Sequence, residues 1–180
     1  MKIKPLCLAM LMLGLSSTAT LAADGTLKFR GNIGSSTCQV TSGQGAEITV
    51  PMGTVPVETL EQNADGPAVG FTITLQGCKK GTYYLVLDGL SPASQENVLA
   101  LDNSTDEGVA QGVGIKISDI NDKTITLTKG LDIDNDAKVV IDTDNDSGTF
   151  YLKAHYYAYD QERLEPGTAD ATATFTVVQN

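Results

Sequence analysis

The most constraining stretch of this chain is its last fourteen residues, Gly167-Thr168-Ala169-Asp170-Ala171-Thr172-Ala173-Thr174-Phe175-Thr176-Val177-Val178-Gln179-Asn180, in which small or apolar side chains alternate with polar ones. A period of two is the signature of a β-strand with one face in a core. Successive side chains of a strand point to opposite faces, so Ala169, Ala171, Ala173, Phe175 and Val177 share one face. Thr172, Thr174, Thr176 and Val178 share the other. With the sequence ending there, no later segment is expected to pair with or cover this strand, and an open strand edge is a template for another chain.

The opposite end has the plan of an export signal. Lys2 and Lys4 precede an apolar run over 6–15 and a small-residue segment ending Thr20-Leu21-Ala22, with cleavage expected before Ala23. The run is too short to cross roughly 30 Å of hydrocarbon. Residues 1–22 are therefore set aside, Cys7 with them, and one domain's worth of chain remains. The full chain carries a net charge of −10, and loss of two lysines leaves 10 basic against 22 acidic side chains, or −12. Such a chain is a poor partner for nucleic acid. Cys38 and Cys78 survive in an exported chain, and an oxidising compartment favours a disulfide between them, with free thiols acting as nucleophile or metal ligand as the alternative.

Alternation recurs along the mature chain. Within 24–33, Gly25, Leu27, Phe29, Gly31 and Ile33 fall on one parity and Thr26, Lys28, Arg30 and Asn32 on the other, before Gly34-Ser35-Ser36 breaks the run. Further strands are expected at 47–50, 69–75, 82–87, 113–117, 125–127, 138–141 and 148–159, with a short run at 98–101, turns at 79–81 and 119–122, and a mixed, turn-rich stretch over 55–65. No window carries a sustained helical period. The spacing predicts an antiparallel β-sandwich.

Candidate chemistry is sparse. His155, flanked by tyrosines within 151–159, is the single histidine and reads as a sheet-face residue, since no second histidine or free thiol completes a nucleophile–base pair or a zinc set. No catalytic residue is assigned. Asp132, Asp134 and Asp136, and ten residues on Asp142, Asp144 and Asp146, have the alternate carboxylates that suit a hard cation. The second run has Ser147 where a calcium loop needs glycine and Lys153 where it needs a bidentate acid. Two solvated turns capped by their own Asx side chains explain both runs, and no metal ligand is assigned.

In order and spacing, the following segments resemble the chaperone-usher pilin subunits of Gram-negative adhesive fimbriae: 23–33 shortly before Cys38, Phe71-Thr72-Ile73-Thr74-Leu75 running into Cys78, Gly112-Val113-Gly114-Ile115-Lys116-Ile117, Ala154-His155-Tyr156-Tyr157-Ala158, Pro166-Gly167-Thr168-Ala169 and Ala173-Thr174-Phe175-Thr176-Val177. The resemblance implies an all-β fold, an incomplete immunoglobulin-like β-sandwich that lacks its seventh strand and leaves an apolar groove beside the terminal one. It implies a signal peptide at 1–22, a donor-strand extension at 23–35 and a pilin domain at 36–180. A periplasmic pilus chaperone fills the groove first, and the extension of a neighbouring subunit then replaces it at the outer-membrane usher by β-augmentation. Gly25, Leu27, Phe29, Gly31 and Ile33 are the implied donor residues. Gly167, fourteenth from the end, with Ala169, Ala171, Ala173, Phe175, Val177, Gln179 and Asn180, is the implied acceptor groove and chaperone contact; Gln179 stands where the family usually has tyrosine. The implied product is an adhesive fimbria on the cell surface, reached through the periplasm, with no enzyme and no cofactor. The rival expectation is a self-contained exported sandwich that binds calcium or a glycan through loops 102–112 and 132–148.

Overall fold

In the computed structural model the described residues are 38–41, 47–92, 95–127 and 130–180, all within one compact unit, Ser35–Asn180. The segments expected to be signal peptide, 1–22, and donor strand, 23–35, lie outside the described residues. In chain order the elements are β1 (Gln39–Val40), α1 (Val57–Gln62), β2 (Val69–Cys78), β3 (Gly81–Asp88), β4 (Val113–Asp119), β5 (Ala137–Ile141), β6 (Asp146–Ala158) and β7 (Thr174–Gln179). A single 3-10 turn, Gln161–Arg163, follows β6.

Two antiparallel sheets result, one ordered β1-β2-β6-β4 and the other β5-β3-β7. The thirteen-residue β6 is central because its alternation never slips: Phe150, Leu152, Ala154, Tyr156 and Ala158 are buried, while Tyr151 between them is exposed. It pairs Phe150 with Ile73 of β2 and Tyr156 with Ile115 of β4. In the facing sheet, Leu85 of β3 lies between Ala137 of β5 and Val177 of β7 and is fully buried. Leu75, Leu85, Ile125, Ile141 and Val98 are the largest fully buried side chains, and each such burial contributes about 1.5–3 kcal/mol.

The disulfide Cys38–Cys78 is present, and it depends on a glycine. Leu75 and Cys78 differ by three residues, so a regular strand would send one of them outward. A register shift between them, with Gly77 at φ 65°, inserts a bulge, and Cys78 turns inward to complete burial.

Four stretches differ from the sequence expectation. Residues 55–65 contain α1, a helix of six residues too short to leave a period in the sequence, anchored by buried Leu60. Residues 47–50 form no strand; only Glu47 makes a bridge, and the segment contributes half-buried Ile48 and Val50. Residues 98–101 and 125–127 join the sandwich through isolated bridges, Leu99 to Ile115 and Leu127 to Leu87. The first of these is possible because Gly114 has no Cβ, which would lie 2.6 Å from the Leu99 carbonyl oxygen.

The acidic runs serve their own turns. Asp132 Oδ1 accepts from the amides of Asp134 (3.1 Å) and Asn135 (3.2 Å), and Asp136 Oδ2 accepts from the amide of Asp132 at 2.7 Å. Asp144 Oδ1 accepts from the amide of Lys80 at 2.8 Å. The Asn135 side chain, with these amides, holds the Asp132 carboxyl below its ordinary value. Burial, reinforced by the Asp132 charge, raises that of Asp136, which is 6% exposed.

Two outcomes are expected. Cys38→Ser with Cys78→Ser releases a cross-link spanning 40 residues and lowers stability by roughly 4 kcal/mol in the chain-entropy model, read as a lower urea midpoint. For Asp136, a folded value raised above the unfolded one favours the fold below the unfolded value and withdraws that contribution as pH rises through the folded value. Asp136→Asn is therefore expected to gain on the native chain between about pH 3 and about pH 7, and parallel urea midpoints across that range would count against it.

Candidate functional site

Among the described residues β7 bonds to one neighbour, β3. The Asn180 amide donates to the Thr82 carbonyl at 3.0 Å, and an antiparallel ladder engages alternate residues, so Thr174, Thr176 and Val178 direct their backbone groups at β3. The N–H and C=O groups of Ala173, Phe175 and Val177 point the other way, to an edge with no strand partner among the described residues. These are the residues whose side chains face inward. From Ala169 to Val177 the row Ala169, Ala171, Ala173, Phe175, Val177 packs against the core yet every member is only half-buried, whereas Thr172, Thr174 and Thr176 are exposed. The inward residues of β6, Tyr83, Leu85 and Leu87 of β3, and Ile73 and Leu75 of β2 are buried; none of β7 is.

At its upstream end the row opens into a cleft of about 440 Å³. One wall is the run from Val55 to Leu60; the other is Leu164 to Asp170, with Tyr156 on the floor. The Tyr156 hydroxyl donates to the Ala169 carbonyl at 3.3 Å, and burial, then the Asp170 carboxylate, pushes its pKa above the ordinary phenol value, so it stays a donor. The Val55–Leu60 wall was not legible as such in the sequence: its signals are Val55, Val57 and Leu60, spaced across a proline and a short helix.

Gly167 has a steric role. Thr168 donates to the Gly108 carbonyl at 2.8 Å and Ala110 donates to the Thr168 carbonyl at 2.9 Å, which lays 108–110 directly against Gly167. A Cβ there would lie 2.6 Å from the Val109 carbonyl carbon, against the backbone itself. At the other end of β7, the Gln179 side chain leaves the apolar row and lies over Gly81, donating to the Lys80 carbonyl at 3.2 Å. His155 sits on the outer face of β6, its Nε2 3.0 Å from Asp65 Oδ1; Lys116 Nζ stands 3.6 Å from the same oxygen and 3.1 Å from the Tyr157 ring centre. The implied donor residues Gly25, Leu27, Phe29, Gly31 and Ile33 lie outside the described residues.

A family profile described as fimbrial protein matches residues 27–178. The chain belongs to the fimbrial protein family. It is 38% identical over 174 residues to a type-1 fimbrial protein subunit of Serratia marcescens, covering 94% of each chain. It is 35% identical over 188 residues to the type-1 fimbrial protein A chain of Escherichia coli K12, covering 98% of each. In fold it is similar to the P pilus rod subunit PapA, with a TM-score of 0.62 at 16% identity over 79% of this chain and 99% of that one. A subunit from a chaperone-usher pilus structure gives the same TM-score over 88% and 96%. The protein is thus a fimbrial subunit, a component of a cell-surface fibre assembled with other such subunits, and not a free-standing binding module.

For Gly167→Val, the expected outcome is a loss of about 1–3 kcal/mol, because backbone and not a flexible side chain must give way. Hydrogen exchange locates it: the amides of Thr168 and Ala110 should lose protection first.

Proposed function

We propose that this fimbrial subunit enters its fibre by donor-strand exchange. The observation that supports it is the condition of β7: hydrogen-bonded along one edge, with an apolar row that the rest of the domain leaves half-covered. A single extended strand laid along that edge meets both deficits at once, which is β-augmentation. The segment 23–35 of a neighbouring copy has the matching alternation, Gly25, Leu27, Phe29, Gly31 and Ile33 facing the groove. Each backbone hydrogen bond it forms contributes a net of about 0.5–1.5 kcal/mol, and burial of Leu27, Phe29 and Ile33 adds roughly 1.5–3 kcal/mol apiece.

Before assembly the groove needs a temporary occupant. A periplasmic chaperone supplies a strand of its own after export directed by residues 1–22, meeting Gln179 and Asn180 at the far end of β7, and the outer-membrane usher hosts the exchange. Gly167 and Ala169 mark the cleft end of the acceptor, and Ala171, Ala173, Phe175 and Val177 its length. The exposed fibre then supports adhesion.

Thermal melting of the mature chain with a synthetic peptide of residues 24–34 tests this reading. Ligand linkage requires the midpoint to climb with peptide concentration, by about 2.7 kcal/mol of added stability at a hundredfold excess over Kd. A peptide carrying Gly31→Leu should give no such climb, because a side chain is forced where the groove is shallow. A midpoint that ignores the native peptide overturns the proposal.

A further inference from the structure

The outer face of β7 carries a feature that groove filling does not use. Three carboxylates line it at the spacing of a strand. Asp170 shares its parity with Thr172 and Thr174. The Asp102 carboxylate is fixed beside Thr172, Oδ1 accepting from the Thr172 amide at 3.1 Å and Oδ2 from its hydroxyl at 2.7 Å. Asp88 is the cross-strand partner of Thr174, so its side chain lies on that same face. The positions they flank, 170, 172 and 174, fall two residues apart, the first two just ahead of β7. Among the described residues, the exposed side chains of Thr172, Thr174 and Thr176 lie on the same face beside them. Among the described residues none of the three carboxylates pairs with a basic side chain.

The segment that the donor-strand reading places along this edge has the complementary pattern. With Leu27, Phe29, Gly31 and Ile33 turned to the groove, Lys28 and Arg30 face outward, again two residues apart. They are the only cations of 23–35, against Asp24 alone, whereas 36–180 carries 8 basic and 21 acidic side chains. A strand added about 4.7–4.9 Å from β7 brings long side chains within diagonal reach across a row of threonines.

We propose that Asp170, Asp102 and Asp88 form an acidic ladder that receives Lys28 and Arg30 of a second copy, speeding capture of its donor segment and fixing its register. The inference rests on donor-strand exchange and adds what the apolar row lacks. A slip of one residue is rejected by the groove because it turns every apolar side chain outward. A slip of two keeps them inward but brings Phe29 or Ile33 to the place of Gly31, and it also moves a cation off the ladder. Electrostatics therefore adds to the register that the shape of the groove selects.

The test is capture of a fluorescent peptide of residues 23–35 by the mature chain, followed by anisotropy at about 20 mM and about 0.5 M salt. The Lys28→Glu/Arg30→Glu peptide is expected to bind at least about tenfold more slowly than the native peptide at low salt, and the two rates should converge at high salt. Asp102→Asn, which keeps an acceptor for Thr172, should shrink the difference, and Asp170→Lys should restore capture of the reversed peptide. Equal rates for the two peptides at low salt overturn the ladder and leave donor-strand exchange standing; a native peptide that binds at neither salt overturns both.

Discussion

Among the described residues β7 is hydrogen-bonded on one side, and the rest of the architecture takes its meaning from that asymmetry. A sandwich of this size has enough apolar side chains to bury the inward faces of β2, β3 and β6 almost completely. Along 169–177 no inward side chain reaches that state, and Phe175 and Val177 touch the core without being enclosed by it. Backbone groups facing an uncovered apolar strip are costly in isolation and are a template once a second strand arrives. An incompletely covered edge is thus a binding site made from main chain and small side chains, with no need for the convergent polar groups of an enzyme.

Placement of that site rests on close backbone approach more than on apolar bulk. Residues 108–110 lie against Gly167, and 98–101 against Gly114, each contact closed by hydrogen bonds that a Cβ would break. These crossings hold the loop walls of the cleft next to the start of the strand. Tyr156 ties the floor to the wall through the Ala169 carbonyl.

Much of this was legible in the sequence because period-two alternation survives wherever one face is buried. The strands expected at 69–75, 82–87, 113–117 and 148–159 are found at 69–78, 81–88, 113–119 and 146–158, and the inward parity from Ala169 to Val177 follows from side-chain order. Helix α1 did not, since six residues hold fewer than two turns and only Leu60 is buried. Segment 47–50 alternates like a strand but lacks a described partner for its ladder, a matter of tertiary pairing that no local pattern encodes. Gly167 was flagged by resemblance; that its missing side chain admits 108–110 is visible only when the two segments meet in space. The Asp102 contact to Thr172 joins residues seventy positions apart and leaves no local trace.

Covalent connectivity gives the bulged end of β2 a mechanical meaning. Strand β1 has only two residues in its ladder, too few to resist being peeled from β2. Whatever tension reaches the body through the residues ahead of Cys38 is handed to Cys78 through a covalent bond, and from there into a ten-residue strand flanked by β6 along most of its length. Peeling β1 from β2 therefore leaves the load on a covalent bond and on a strand whose ladder with β6 runs from Val69 to Leu75.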